Sequence, residues 1–210
     1  MTTSGFADLR DGRCLLPLMR EGMREGDLRA VGAEDAPALS VWRHTNRRWF
    51  LTEFPRDTQA TQAWIEAIRN TPDRLMLVVH AEGGRVGVLG LRGIDLGHGE
   101  AEIDNVLRGH PTPSCPGLMS LAVRTLIAWA ESELSVRRLY LHVFRDNPAR
   151  SFYSRLGFVV IGDPIGLSFE GTSEHGSWKP TTQEPERYLL RMELAIDAVT
   201  LGIPQPEDSR

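Results

Sequence analysis

Glu100, Glu102 and Asp104 recur at every second position of an extended segment, Glu100 to Leu107. A strand alternates its side chains between two faces, so the three carboxylates share one. Such a row either faces water or gathers groups able to take a proton from a bound substrate. Downstream the segment gives way to a loop and then to a helix that opens at Gly117-Leu118. The first N–H groups of a helix have no partner within it and its dipole is positive at that end, which together suit phosphate oxygens. Arg43, Arg47 and Arg48, interleaved with Trp42 and Trp49 at helical spacings, are a second candidate anion site. The alternative there is a solvated helix face.

The stretch from Val136 to Gly162 supplies the elements that must sit beside these groups. Leu139, Leu141 and Val143 alternate as a half-buried strand requires, and after the turn Asp146-Asn147-Pro148-Ala149 the spacing becomes helical until Gly157. Asn147 is placed to cap that helix, Pro148 suits its first position, and Gly157 can adopt the left-handed conformation that ends it. On these residues the chain resembles the GNAT acetyltransferases, which use acetyl-CoA to acetylate amines. The match lies in Asn147, Tyr153 and Leu156-Gly157-Phe158, set between one strand and the next.

The remaining elements follow from periodicity. A strand is expected at Leu28 to Val31, a helix from Glu34 and Asp35 through Leu39, Trp42 and Arg43, and a second helix from about Thr58 to Arg69, closed by Pro72. Leu75 to Val79 reads as a buried strand. Glu82 to Arg85 reads as a hairpin turn, and Val86 to Ile94 as its return. Gly84 and Gly87 do not form a dinucleotide loop, because a strand follows them instead of a helix. Leu118 to Glu133 is an amphipathic helix. Residues 164 to 186 read as a long loop between the last two strands, able to form part of an acceptor site, and Tyr188 to Leu194 as the closing strand. The expected fold is α+β, a mixed and mostly antiparallel sheet of about seven strands flanked by about four helices and splayed at the cofactor site. Expected boundaries are an N-terminal extension over 1–27, the acyltransferase domain over 28–196 and a tail over 197–210.

The resemblance implies roles residue by residue. Val106 and Leu107 would pair their backbone with the amides of acetyl-CoA's pantetheine arm, adding a pseudo-strand to the sheet. Ser114, Cys115, Pro116, Gly117, Leu118 and Met119 occupy the six positions of the family's pyrophosphate loop. Gly117 fits that pattern, whereas Ser114 and Met119 depart from it, Met119 by its bulk. Asn147 would hold the cofactor arm. Glu102 stands where many members keep the base that deprotonates the amine, with Asp104 as the alternate, and Tyr153 is placed to protonate the leaving thiolate. Tyr153 as a core aromatic is the plainer reading.

Leu39 to His44, Phe50-Leu51, Trp64-Ile65 and the stretches Val106 to Gly109 and Pro116 to Met119 resemble the branch that acetylates nucleotide-linked amino sugars. In that case Arg43 or Arg47 would meet the diphosphate, and Asp104 would help bind the acceptor. Competing acceptors are a protein N-terminus, an aminoglycoside or a polyamine, and the competing class is a sensor that binds an acyl-CoA without turnover. An acidic acceptor pocket would favour polyamines or aminoglycosides, a basic one the nucleotide sugar. The family also suggests a homodimer.

A net charge of −4 over 210 residues gives no global basic field for nucleic acid or an anionic membrane. Cys14 and Cys115 have no paired spacing, and the six histidines show no metal-ligand motif, so neither a disulfide framework nor a metal is expected. With no signal pattern and no long apolar run, the chain reads as cytoplasmic.

Overall fold

The apolar runs in the middle of the chain form the centre of a sheet covered on both faces. In the computed structural model, which describes residues 4–52, 56–109, 116–172 and 175–196, nine strands pair in the order β1-β2-β3-β4-β5-β6-β9-β7-β8. They are β1 (Leu16–Arg20), β2 (Met23–Ala30), β3 (Leu75–Ala81), β4 (Gly84–Asp95), β5 (Glu100–Arg108), β6 (Arg138–Phe144), β7 (Val159–Gly171), β8 (Gly176–Pro180) and β9 (Arg187–Ala195). The α-helices are α1 (Ser4–Arg10), α2 (Ala36–Thr45), α3 (Thr58–Arg69), α4 (Leu118–Leu134) and α5 (Arg150–Arg155). The fold is α+β with a mostly antiparallel sheet, as expected, but with two more strands and one more helix. Among the described residues no helix is long and apolar enough to cross a membrane. The expected tail over 197–210 lies outside them.

Both extra strands come from segments whose patterning hides them. β1 and β2 form a hairpin across Glu21-Gly22, two residues with φ of 50° and 79°, as a type I′ turn requires. The first strand of the sequence reading is therefore longer and begins at Met23, and residues assigned to an extension supply a sheet edge. The expected loop over 164–186 is a second hairpin, β7 with β8. Most of β7 is exposed, so no apolar alternation marks it. Pro164 sits where its register with β9 breaks between Ile161 and Ile165, a position that tolerates a residue without an N–H.

α4 lays Ala122, Val123, Leu126 and Ile127 on one face of the sheet, joined by Leu9 of α1 and by Leu156 and Phe158. On the other face Leu39, Trp42, Ile65 and Ile68 of α2 and α3 pack on Met76, Val78 and Val88. A third cluster, Phe144, Leu167 and Leu189 with Trp49, Leu51 and Trp178, lies beneath the β7–β8 hairpin. Trp178 donates its backbone N–H to the Leu51 carbonyl at 2.8 Å, which fastens the segment between α2 and α3 to that hairpin.

Two irregularities in β5 position the site. Its parallel pairing with β6 covers only Glu100↔Arg138, Ala101↔Leu139 and Glu102↔Tyr140, after which the strands part. Its register with β4 passes from Asp104↔Gly90 to Leu107↔Val88, so Asn105 and Val106 together oppose Leu89. Asn105 takes φ of 51°. This β-bulge reverses the alternation: Ile103 and Val106 both contact the α4 core, while Leu107 joins the α2–α3 core.

Asp35, fully buried at the start of α2, ties that helix to the sheet. It accepts hydrogen bonds from Arg29 at 2.6 and 2.9 Å, Arg85 at 2.5 Å and the Gly32 N–H at 2.8 Å. Burial opposes its charge, but the bonds from Arg29, Gly32 and Arg85 prevail and hold its carboxyl below the usual range. A depressed carboxyl stabilises the fold above its unfolded pKa and loses that contribution as pH falls through the folded value. Asp35→Asn is expected to cost about 2 kcal/mol at pH 7, below the range for a fully buried pair because both arginines are partly hydrated. Urea unfolding should show the gap between wild type and variant closing below about pH 4.

Candidate active site

Where β5 and β6 part, two cavities meet. The larger, about 750 Å³, lies between the α2–α3 side and the open sheet and includes Arg43, Arg74, Arg92, Glu102, Asp104 and His142 in its wall. The smaller, about 350 Å³, is bounded by Val86, Gly117, Leu118, Met119, Phe152 and Arg155. Val106, Arg108, Ala149 and Tyr153 border both. Beyond Glu102, β5 makes no further pair with β6 among the described residues, which leaves that side of its backbone free of sheet pairing there.

The small cavity is built by the start of α4. Gly117 precedes the helix with φ of 79°, a conformation that glycine adopts without strain. The N–H groups of Leu118, Met119 and Ser120 follow it without helical partners, and Arg108 and Arg155 add charge on the same wall. Met119 finds room over the sheet: a Cβ at Gly87 would lie 2.8 Å from its Sδ and 2.6 Å from the Leu107 carbonyl oxygen. The absent side chain of Gly87 is thus part of what accommodates Met119. Asn147 accepts the Ala149 N–H at 2.9 Å through Oδ1, which shapes the turn into α5 and places its side chain at the edge of the larger cavity.

In the larger cavity the carboxylates are already engaged. Glu102, 7% exposed, receives Arg92 Nε at 2.9 Å on Oε2 and Arg92 Nη2 at 2.8 Å on Oε1. His142 Nδ1 lies 2.9 Å from the same Oε1. Burial opposes the charge on Glu102, but the bonds from His142 and Arg92 outweigh it and hold the carboxyl below its ordinary range. Asp104 accepts Arg74 Nη2 at 2.7 Å, the Asn105 N–H at 2.9 Å and Asn105 Nδ2 at 2.7 Å. Arg43 lies flat on Trp64, 3.7 Å from the ring centroid. Burial lowers its pKa to about 10, which leaves it charged at neutral pH.

Tyr153 is 9% exposed at the meeting of the two cavities. Its ring packs edge-on against Phe152 and Phe158 at 5.3 and 6.1 Å. Burial pushes its phenol above the ordinary value, so it stays protonated throughout the working range.

Glu102, Asp104, Val106, Leu107, Asn147, Tyr153 and Arg43 thus line the larger cavity, and Gly117, Leu118 and Met119 the smaller. Arg47 is not brought in. α2 ends at Thr45, and Arg47 falls in an exposed 3-10 turn, bonded to the His44 carbonyl at 3.1 Å. Ser114 and Cys115 lie outside the described residues. Sequence reading missed Arg92, Arg74 and His142. The signal for His142 was present: it falls between Leu141 and Val143, hence on the opposite face from that apolar pair.

A family model for the acetyltransferase (GNAT) domain matches residues 27–159, more than half of the chain. The protein belongs to the GNAT acetyltransferases. It is an acetyl-CoA-dependent N-acetyltransferase. Comparison with curated proteins gives no match. Among solved structures, an acetyltransferase from Salmonella typhimurium that modifies the N-terminal serine of a 50S ribosomal subunit protein superposes with a TM-score of 0.67 at 16% identity, covering 88% of this chain and 100% of that one. A GCN5-related N-acetyltransferase from Brucella melitensis gives 0.66 at 18%, covering 87% and 79%. The spermidine N-acetyltransferase of Vibrio cholerae, in complex with CoA and spermine, gives 0.64 at 17%, covering 81% and 95%. At these identities the likeness is one of fold. The splay of this GNAT enzyme fits acetyl-CoA in kind: an open strand edge for amides, and a helix start with Arg108 and Arg155 for phosphates.

Proposed function

We propose that this GNAT enzyme acetylates the primary amine of a small molecule that carries negative charge, with nucleotide-linked amino sugars as the representative class. The charge of the larger cavity carries this reading. Among the described residues its wall holds Arg43, Arg74, Arg92 and Arg108 against Glu102 and Asp104, a balance of two positive charges from arginines and carboxylates. A polycation such as spermidine would meet arginine on most sides, whereas a phosphate or carboxylate would meet guanidinium groups suited to bidentate contact. Arg43, held on Trp64 at the back of the cavity, is the group assigned to the acceptor's anionic part.

In this reading acetyl-CoA supplies the acetyl group as a thioester. The open edge of β5 at Val106 and Leu107 binds the pantetheine arm, Gly117, Leu118 and Met119 present the phosphate site, and Asn147 holds the turn beside it. Tyr153 directs its hydroxyl to the departing sulfur. Thiol release from acetyl-CoA, measured against amino sugars, their nucleotide conjugates, spermidine and a peptide with an N-terminal serine, tests the acceptor. The anionic conjugates are expected to give kcat/KM at least tenfold above spermidine. The highest value for spermidine, or for the peptide, would overturn the reading.

A further inference from the structure

We propose that His142, held by Glu102, is the general base of the acetyl transfer, and that Glu102 is a positioning residue. This rests on amine acetylation as the reaction and not on the charge of the acceptor. A carboxylate that serves as the base must have an oxygen free to take the proton. Three of the carboxylate's four lone-pair positions are taken, two on Oε1 and one on Oε2, and a proton on the last would remove the charge that the bonds from Arg92 and His142 rest on, in a site where Glu102 is 7% exposed. The carboxyl is also held ionised, which makes it a weak proton acceptor. Because a carboxylate can only accept, the Nδ1 of His142 must carry the hydrogen of their 2.9 Å bond. The neutral ring then keeps its lone pair on Nε2, which has no hydrogen-bond partner among the described residues.

The position of the ring suits that role. β6 carries His142 beyond the last pair it makes with β5, so the side chain stands in the wall of the larger cavity with 22% of its surface exposed. Arg92 fixes the carboxylate from β4, and Tyr140 meets the imidazole edge-on at 5.8 Å. The charged and titratable groups around it are Arg92 of β4, Glu102 and Asp104 of β5, Tyr140 of β6, Arg191 and Glu193 of β9, and Arg43 of α2. Arg191, opposite His142 in the sheet, is bonded to Glu193 at 2.8 Å. The nearest charge to the ring is therefore the Glu102 carboxylate, which fixes its orientation through Nδ1.

Nε2 takes one proton from the acceptor's ammonium, and the freed nitrogen lone pair forms the new C–N bond. The C–S bond breaks and sulfur leaves with its electron pair. A second N–H proton replaces the one that Tyr153 gives to sulfur, and imidazolium returns its proton to water. One amide, one thiol and one solvent proton result.

The test compares His142→Asn, which keeps a group near Nδ1 but has no Nε2, with Glu102→Gln, using the amine that turns over fastest. His142→Asn is expected to lower kcat/KM about 10²-fold or more at pH 7, with the loss shrinking at high pH where more of the amine is already neutral. The acid limb of the pH profile that the wild type owes to imidazole should vanish. Glu102→Gln is expected to lose roughly tenfold and to keep that limb, because the base itself is still present and only its orientation is loosened. His142→Asn within about threefold of wild type with its limb intact, beside a Glu102→Gln variant that has lost the limb, would make Glu102 the base and overturn the proposal. A second readout needs no acceptor. Long-range ¹H–¹⁵N spectra of the neutral ring should show the Nδ1–H tautomer, and an Nε2–H tautomer would equally overturn it. If none of the amines turns over, the acceptor reading fails while the tautomer still decides the dyad.

Discussion

Tyr153→Phe is expected to fold, to bind acetyl-CoA with near wild-type affinity, and to turn over about 10²-fold more slowly. The ring is 9% exposed and packed against Phe152 and Phe158, and phenylalanine keeps those contacts. Only the hydroxyl is lost. Burial has made this phenol a weaker acid than usual, so it cannot simply hand its proton to a thiolate whose conjugate acid has an ordinary pKa of about 8.5. Donation becomes favourable only as the new amide nitrogen returns a proton, and until then the hydroxyl acts by hydrogen bonding to the charge that grows on sulfur. Losing such a donor costs about 2.7 kcal/mol of barrier, the equivalent of the hundredfold effect. Single-turnover kinetics beside equilibrium binding separates the two quantities. Unchanged turnover in a folded variant would leave Tyr153 as packing.

Gly117→Asp is expected to leave the protein folded and to weaken acetyl-CoA binding by about 10²-fold or more. Among the described residues the new side chain has room, since a Cβ there meets only Arg20 Nη2, at 3.5 Å. Arg20 already serves the Pro116 carbonyl at 3.1 Å and Glu25 at 3.0 Å, so it compensates the added charge only in part. A carboxylate about 6 Å from one phosphate charge costs roughly 3 kcal/mol at an effective dielectric constant near 20. Gly117→Ala carries the backbone strain of φ 79° without the charge and should lose far less. Calorimetry with both variants distinguishes electrostatics from strain. Equal losses would move the phosphate site away from α4.

The elements legible in the sequence were those whose partners lie on one side or on both. The buried run Leu75 to Val79 and the amphipathic stripe of α4 announce themselves because burial dictates their periodicity. β7 does not, since most of its residues face solvent and its identity is set by pairing with β9. Likewise Glu102 was visible as one of three carboxylates on a strand face, but its bonds to Arg92 and His142, which reach it from neighbouring strands, were not. The first is 10 residues away in the chain and the second 40. Sequence shows which face a side chain occupies, and only the register of β4, β5 and β6 shows which side chains meet on it.

The bulge at Asn105 decides how a single strand is divided between two chambers. Before it, β5 turns Glu102 and Asp104 to the chamber beneath α2 and α3, and after it Val106 is directed to the side of α4 where the smaller chamber opens. The extra residue is a half-period phase shift in an otherwise regular alternation. An unbroken strand would send Val106 to the same side as Asp104 and turn Leu107 to the side of α4 in its place. Which side chains of β5 face each chamber is therefore set by one added residue, held in a left-handed conformation by an asparagine whose side-chain and backbone nitrogens both rest on the neighbouring aspartate.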